Sequence, residues 1–325
     1  MTTKNNIIRR SILKGLVATP FVFSFSPVFA NGYPSKPVNL VVWSGAGGTL
    51  DNYGRKTAEL LSRELGWTVN VQNRPGGSGA VGVSSIMAQP ADGINILILT
   101  STLTFGIAQG LIPFSLDSLR LVRCMQSEPS SLAVHKDSPF HTVQDFVNYM
   151  KANPNGLKVG GHAPAGFHQY VLYQLMQQGN FKSSWIPHDA SGKIPLALLG
   201  KHIDVAVMTP SSGLDQVLSG EIRLLGLTTA ERSEFFPDVP TFKEQGFNIV
   251  DSVWRGAAVK GETPDHIVDA IQTALDKVIA SEDWISFQER EKQDNLNLKE
   301  AEFTAMAASQ LEGQREFLRS IGLIK

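Results

Sequence analysis

The feature that most constrains the fold of this chain is a glycine-rich loop between two apolar segments of different periodicity. The loop reads Ser44-Gly45-Ala46-Gly47-Gly48-Thr49-Leu50-Asp51. The continuous apolar run before it, at 38–43, predicts a buried strand, whereas the apolar residues after it recur every three or four positions and predict a helix. Free N–H groups at the start of such a helix attract anions. The loop therefore predicts the first half of a βαβ unit with an anion cradle.

The same alternation of strands and helices continues along the chain. A first set has predicted strands at 38–43, 68–72 and 94–100, with helices at 50–65, closed by Gly66, and at 80–88. A second set has predicted strands near 157–159, 184–187, 203–208 and 222–227, with helices from 167, at 194–199 and at 212–218. The βαβαβ pattern thus occurs twice. A capping box of Thr142 and Asp145 predicts a further helix that ends before Pro154.

The last part of the chain predicts one strand and three helices. The strand lies at about 252–259, and the next helix starts at Thr263-Pro264, with the proline at its first helical position, and runs to about 280. Charged helices at 284–291 and 300–321 follow and carry no chemical motif. We expect these helices to cover a sheet.

Ligands of open α/β sheets bind at the carboxyl ends of the strands. Four predicted loops lie at such ends: 44–51, 101–104, 160–166 and 209–212. The candidate binding residues that these loops supply are Ser44, Gly47, Gly48, Thr49, Asp51, Ser101, Thr102, His162, Ala165, Gly166 and Thr209.

Residues 1–30 predict an export signal. Lys4, Arg9 and Arg10 form a basic segment, an apolar stretch follows at about 16–25, and Val28-Phe29-Ala30 predicts cleavage after Ala30. Arg9-Arg10 resembles the twin-arginine signal, with an ordinary secretion signal as the alternative. In both cases the mature protein is predicted to be periplasmic.

Composition narrows the classes of partner. The chain of 325 residues has 29 basic and 30 acidic residues, and the predicted signal removes four basic ones, which leaves 25 minus 30, or −5. This mildly acidic balance argues against nucleic acid and anionic membranes as partners. Cys124 is the only cysteine, so no intrachain disulfide is possible. The 295 residues after the signal (325 minus 30) predict two domains.

Enzyme motifs are missing. The third glycine of a G-x-G-x-x-G fingerprint would fall at Leu50, and neither a phosphate-binding P-loop nor a G-x-S-x-G elbow occurs. No two histidines have metal-ligand spacing, and His188-Asp189 has no marked nucleophile beside it. The histidines are interpreted as surface or loop residues. We expect no catalytic residue, no metal and no cofactor.

Several ordered motifs point to a known family. They are Asn73-Arg74-Pro75-Gly76-Gly77, Ala91-Asp92-Gly93, the segment at 199–205, the segment at 237–241 with Gly246, and Trp254-Arg255-Gly256 with Thr263-Pro264. Through them, about 33–322 of the chain resembles the substrate-binding proteins of tripartite tricarboxylate transporters, or Bug proteins. The resemblance implies an α/β chain with the type II periplasmic binding fold, in which two doubly wound domains enclose a ligand cleft. It places 31–131 and 252–325 in one domain and 132–251 in the other.

The function that the resemblance implies is capture of a small carboxylate, with a di- or tricarboxylate favoured. The ligand would be delivered by a monomeric binding protein to small and large membrane subunits. A periplasmic sensor for a membrane kinase, or an enzyme on the same fold, is the alternative.

The predicted site holds one carboxylate between two helix N-termini. The amides of Gly47, Gly48 and Thr49 would serve it from one side and those of Ala165 and Gly166 from the other. If Asp51 caps the first helix, its charge offsets part of that field.

Two further candidates, Trp254 and Arg255, lie near the predicted hinge. Arg255 would hold a second carboxylate, with a surface charge or an interdomain ion pair as the alternative. Ala165 stands where the family usually has a serine, so one hydroxyl donor is expected to be missing.

Overall fold

A computed structural model describes residues 32–188 and 190–325. The predicted export signal and its cleavage site lie outside the described residues, as does Asp189. Within those two ranges, no helix is long and apolar enough to cross a membrane.

The described residues form eleven strands and ten helices. The strands are β1 (Val38–Val42), β2 (Val69–Asn73), β3 (Asn95–Thr100), β4 (Leu119–Pro129), β5 (Ser131–His135), β6 (Val159–His162), β7 (Ile186–His188), β8 (Val205–Met208), β9 (Ile222–Leu227), β10 (Ser252–Lys260) and β11 (Asp294–Lys299). The helices are α1 (Thr49–Leu65), α2 (Ala80–Met87), α3 (Thr102–Ala108), α4 (Val143–Ala152), α5 (Phe167–Gly179), α6 (Lys193–Leu199), α7 (Leu214–Leu218), α8 (Asp265–Ala280), α9 (Glu282–Glu291) and α10 (Glu300–Ser320).

The first sheet has the strand order β11-β4-β10-β3-β1-β2. Strand β1 pairs in parallel with β2 and β3, so the first predicted βαβαβ unit is confirmed. Helix α1 packs closely on this sheet, because a Cβ at Gly54 would lie 2.7 Å from Val42 Cγ2. It ends as predicted, with Gly66 in the left-handed region at φ 69°.

The second sheet has the order β7-β6-β8-β5-β9. Strand β6 pairs in parallel with β7 and β8, which confirms the second unit, whereas β5 runs antiparallel to β8 and β9. The loop predicted at 160–166 starts too early, because Gly160, Gly161 and His162 belong to β6. A Cβ at Gly161 would lie 2.5 Å from the Val207 carbonyl, so this glycine serves close strand packing rather than a turn.

The chain passes between the sheets twice. A single residue, Ser130, separates β4 of the first sheet from β5 of the second, and the chain returns between β9 and β10. The fold therefore consists of two α/β halves. The domain limits near 132 and 251 stay a prediction.

Smaller predictions had mixed outcomes. The capping box of Thr142 and Asp145 is confirmed at the start of α4. Pro264 is the N-cap of α8, not its first helical residue as expected, because its ψ of 145° is extended. Strands β4, β5 and β11 and helix α3 were not predicted.

Candidate functional site

A cavity of about 320 Å³ lies where β3, β6 and β8 end, between residues that belong to the two halves of the fold. It is the edge at which open α/β sheets bind ligands. Seven of the thirteen predicted site residues line this cavity: Ser101, Thr102, His162, Ala165, Gly166, Thr209 and Arg255.

The loop before α5 forms one wall of the cavity and carries backbone strain. Ala163 and Ala165 have φ values of 57° and 52°, in the left-handed region that side chains other than glycine rarely adopt. The Ala165 N–H donates to Gln169 Oε1 at 2.7 Å, so that amide is already engaged. Gly166 is the N-cap of α5 and supplies no side-chain cap. The first-turn amides of α5 therefore remain for an external acceptor.

His168 lies in the first turn of α5 and is buried, which corrects its interpretation as a surface or loop histidine. Burial, with a smaller contribution from His162, lowers the pKa of His168 to about 3, so its imidazole is neutral near pH 7. The His162 N–H donates to His168 Nδ1 at 3.4 Å, which places the proton on Nε2. Among the described residues, His168 Nε2 has no hydrogen-bond partner.

Arg255 forms the floor of the cavity and is only 7% exposed. Its Nη1 donates to Gln126 Oε1 at 2.6 Å, and its Nη2 lies 3.5 Å from Glu128 Oε2. Glu128 is buried and also accepts from the Ser211 N–H at 3.0 Å and from Gln293 Nε2 at 3.1 Å. The guanidinium thus faces the cavity with part of its charge offset by a carboxylate.

Gln126 and Glu128 were missed by the sequence analysis. Both lie on β4, which pairs with β10 so that Arg255 is opposite Gln126. They stand two positions apart and therefore on one face of the strand. Two polar residues with that spacing inside an otherwise buried strand were the available signal.

Trp254 lies outside the cavity. It is fully buried, its indole N–H donates to Gln310 Oε1 at 2.6 Å, and its ring contacts Phe303 edge-on with centroids 4.8 Å apart. Adjacent residues of a strand face opposite sides, so Trp254 packs in the core while Arg255 reaches the cavity.

The loop at 44–51 also lies outside the cavity, so the structure does not bring Ser44, Gly47, Gly48, Thr49 and Asp51 together with the other candidates. The Gly47 N–H donates to Asp51 Oδ2 at 2.8 Å. Arg55 Nε donates to the same oxygen at 2.9 Å, and Asn73 Nδ2 donates to Asp51 Oδ1 at 2.9 Å. The carboxylate at this loop is therefore the chain's own.

Asp51 is 1% exposed. Burial by itself raises the pKa of the Asp51 carboxyl, but the hydrogen bonds from Arg55, Gly47 and Asn73 outweigh it and lower that pKa to about 2. Asn73 Nδ2 also lies 3.0 Å from the Ser44 carbonyl. The motif residue Asn73 thus ties β2 to the glycine loop.

In the ranges 32–188 and 190–325, no group of three or more histidine, cysteine, aspartate or glutamate residues is arranged to hold a metal ion.

Comparison with known proteins agrees with this architecture. The model of the family described as "Tripartite tricarboxylate transporter family receptor" matches residues 54–323. Protein BugT of Bordetella pertussis is 29% identical over 250 residues, which cover 75% of this chain and 76% of BugT.

Solved structures of this kind superpose well. A TctC solute-binding protein from Polaromonas has a TM-score of 0.81 at 25% identity, over 89% of this chain and 99% of that one. MatC from Rhodopseudomonas palustris with bound malate has a TM-score of 0.70 at 18% identity, over 89% and 99%. An R. palustris protein solved with adipate has a TM-score of 0.73 at 22% identity, over 89% and 98%. Because the family model matches most of the chain, this protein belongs to the tripartite tricarboxylate transporter receptor family.

Proposed function

We propose that this protein is a periplasmic solute-binding protein that captures a small carboxylate for a tripartite transporter. The observation that carries the proposal is the cavity at the strand ends, with Arg255 at its floor and the uncapped start of α5 in its wall. Two proteins of similar fold were solved with malate and with adipate, both of which are carboxylates. Binding without catalysis fits a family whose members are solute-binding proteins.

The proposed binding mode places one carboxylate between Arg255 and the first turn of α5. A charge-assisted hydrogen bond from Arg255 is worth about 1.5–3 kcal/mol. The helix start adds about 0.3–1 kcal/mol when exposed and up to about 2 when partly buried. Ser101 supplies a further hydroxyl and is 2% exposed. Its N–H donates to the Trp254 carbonyl at 3.2 Å, which places Ser101 next to Arg255. The ligand role of these residues is part of the proposal.

The expected preference for a second carboxylate at Arg255 is weakened by Glu128. A guanidinium that already lies 3.5 Å from a buried carboxylate attracts an anion less than a free one. The proposed binding mode therefore needs only one carboxylate on the ligand.

The proposal also includes the path of the protein and its ligand. The protein is exported to the periplasm and, as a monomer, delivers the ligand to small and large membrane subunits. Both steps are supported by the family to which the chain belongs. A strain without this protein should lose uptake of the bound acid and regain it from a plasmid copy. Unchanged uptake would contradict the transport role and leave the binding role to be judged separately.

The binding role is tested by calorimetry on the purified mature chain. We expect at least one of hexanoate, benzoate, adipate, malate and citrate to bind, and its amide analogue, which has the same shape without the charge, to bind at least tenfold more weakly. If none of the five acids binds, the carboxylate proposal is wrong. An amide that binds as well as its acid would contradict the electrostatic binding mode.

A further inference from the structure

The cavity has little net positive charge, because its one guanidinium lies beside a buried carboxylate. Arg255 is the only lysine or arginine among the described residues that line it, and Glu128 lies directly beside its guanidinium. The other basic candidates are the exposed His162 and the buried, neutral His168. The site therefore offers one positive group, which is already partly compensated.

Several neutral polar groups of the lining are engaged within the protein. Thr209 Oγ1 lies 2.8 Å from Ser212 Oγ, and Thr102 Oγ1 lies 3.1 Å from Thr100 Oγ1. Gln109 Nε2 donates across the cavity to the Ala165 carbonyl at 3.3 Å. On buried residues of the lining, the donors that remain are the Ser101 hydroxyl and other N–H groups of Arg255, to which the first-turn amides of α5 add. The Ser78, Thr102 and Ser191 hydroxyls also line the cavity, but these three residues are exposed. The buried set of donors suits one carboxylate.

Much of the remaining wall is apolar. Phe105 and Phe167 line the cavity from opposite halves of the fold, together with Val253, Pro164 and Ala163. Phe105 is 3% exposed and is held edge-on against Tyr170, with ring centroids 6.0 Å apart. Ala165, which stands where the family usually has a serine, adds another methyl group. A second carboxylate against this wall would be desolvated without a partner, which is costly.

We propose that the cleft selects a monocarboxylate with an apolar body, whose carboxylate contacts Arg255, Ser101 and the α5 amides and whose body lies between Phe105 and Phe167. This inference rests on the proposed function and replaces the expected preference for di- or tricarboxylates.

Calorimetry at pH 7.5 with acids that share one carbon skeleton tests the inference. Hexanoate and adipate differ by one carboxylate on a six-carbon chain, and benzoate and phthalate differ by one on a ring. We expect hexanoate and benzoate each to bind at least tenfold more tightly than the matching diacid. A smaller or reversed preference overturns the inference but leaves the carboxylate proposal intact, whereas the failure of all these acids, malate and citrate overturns the proposed function.

Two variants test separately the effect of the Glu128 charge and the effect of the apolar wall on ligand selection. Glu128→Gln removes the compensating charge and should raise adipate affinity about tenfold relative to hexanoate; Glu312→Gln, at an exposed ion pair on α10, is the matched control. Phe167→Ala should weaken hexanoate at least tenfold and acetate, which lacks a body, by less than twofold. Thermal unfolding confirms that each variant is folded. If Glu128→Gln leaves the ratio unchanged, or if Phe167→Ala weakens both acids equally, the inference is wrong.

Discussion

At the scale of single residues, the glycine loop binds an anion as predicted, but that anion is a side chain of the protein and not a ligand. Gly47 and the start of α1 do hold an anion, but Asp51 from the first turn of the same helix supplies it. Its ionised form accepts hydrogen bonds from Arg55 and Asn73 as well, so the charge is satisfied inside the fold. The loop fixes the junction of β1, α1 and β2 instead of forming part of the cavity.

Replacing Asp51 with asparagine should lower the free energy of unfolding by about 1–2 kcal/mol at pH 7. The pKa of Asp51 is about 2 in the folded protein against an ordinary value of 3.8, so ionisation stabilises the fold above about pH 4 and this contribution is lost as the pH falls through 2. Urea unfolding should therefore show the loss at pH 7 and pH 5, reduced to about half at pH 3. Asp238→Asn, at an exposed site, is the control. A loss that does not depend on pH would show that the carboxylate charge is not responsible.

At the scale of elements, the sequence predicted what local periodicity determines. The two parallel βαβαβ units follow from apolar runs and helical spacing, and loops at their strand ends supplied six of the seven predicted residues that line the cavity. Strand β4 was not predicted, because Arg123, Gln126 and Glu128 interrupt its apolar pattern although all three are buried. Their burial depends on partners far along the chain, such as Asp276, Gln288 and Gln293. Such non-local pairing leaves no periodic signal, so Arg255 was predicted at the site but its partners Gln126 and Glu128 on β4 were not.

The packing of α5 on α10 gives a prediction at this scale. Glycine inside a helix usually costs about 0.5–1 kcal/mol relative to alanine, yet a Cβ at Gly313 on α10 would collide with the Tyr170 hydroxyl on α5. Gly313→Ala should therefore destabilise the protein by about 1 kcal/mol instead of stabilising it. With Tyr170→Phe, the nearest remaining ring atom lies 3.3 Å away and the same substitution should become neutral or stabilising. A double-mutant cycle by urea unfolding measures this coupling, and additive effects would contradict it.

At the scale of the whole molecule, the two halves meet at a second cavity of about 510 Å³. It is lined by residues of α5, β10, β11 and α10, and Asp251, which precedes β10 on the return from the second sheet, faces it. Asp251 Oδ1 accepts from the Ser252 N–H at 2.9 Å and from Gln310 Nε2 at 2.5 Å, while Gln174 Nε2 lies 3.5 Å from Oδ2. Gln310 belongs to α10 and Gln174 to α5, so this carboxyl joins the helices of the two halves.

Asp251 should make the protein less stable as the pH rises. Burial raises the pKa of Asp251 to about 6, against an ordinary value of 3.8, despite hydrogen bonds from Ser252, Gln310 and Gln174. The folded state therefore binds the proton more tightly than the unfolded chain, and stability declines between about pH 4 and pH 6 and stays lower above that range. Asp251→Asn keeps an acceptor for Ser252 and Gln310 without the charge. It should be about 1–2 kcal/mol more stable than the natural chain at pH 7.5 and equal to it at pH 4 in urea unfolding. Asp92→Asn, at a partly exposed ion pair with Lys36, should show no such gain. A variant that loses the same stability at both pH values would mean that the hydrogen bonds of Asp251, and not its ionisation, govern the junction.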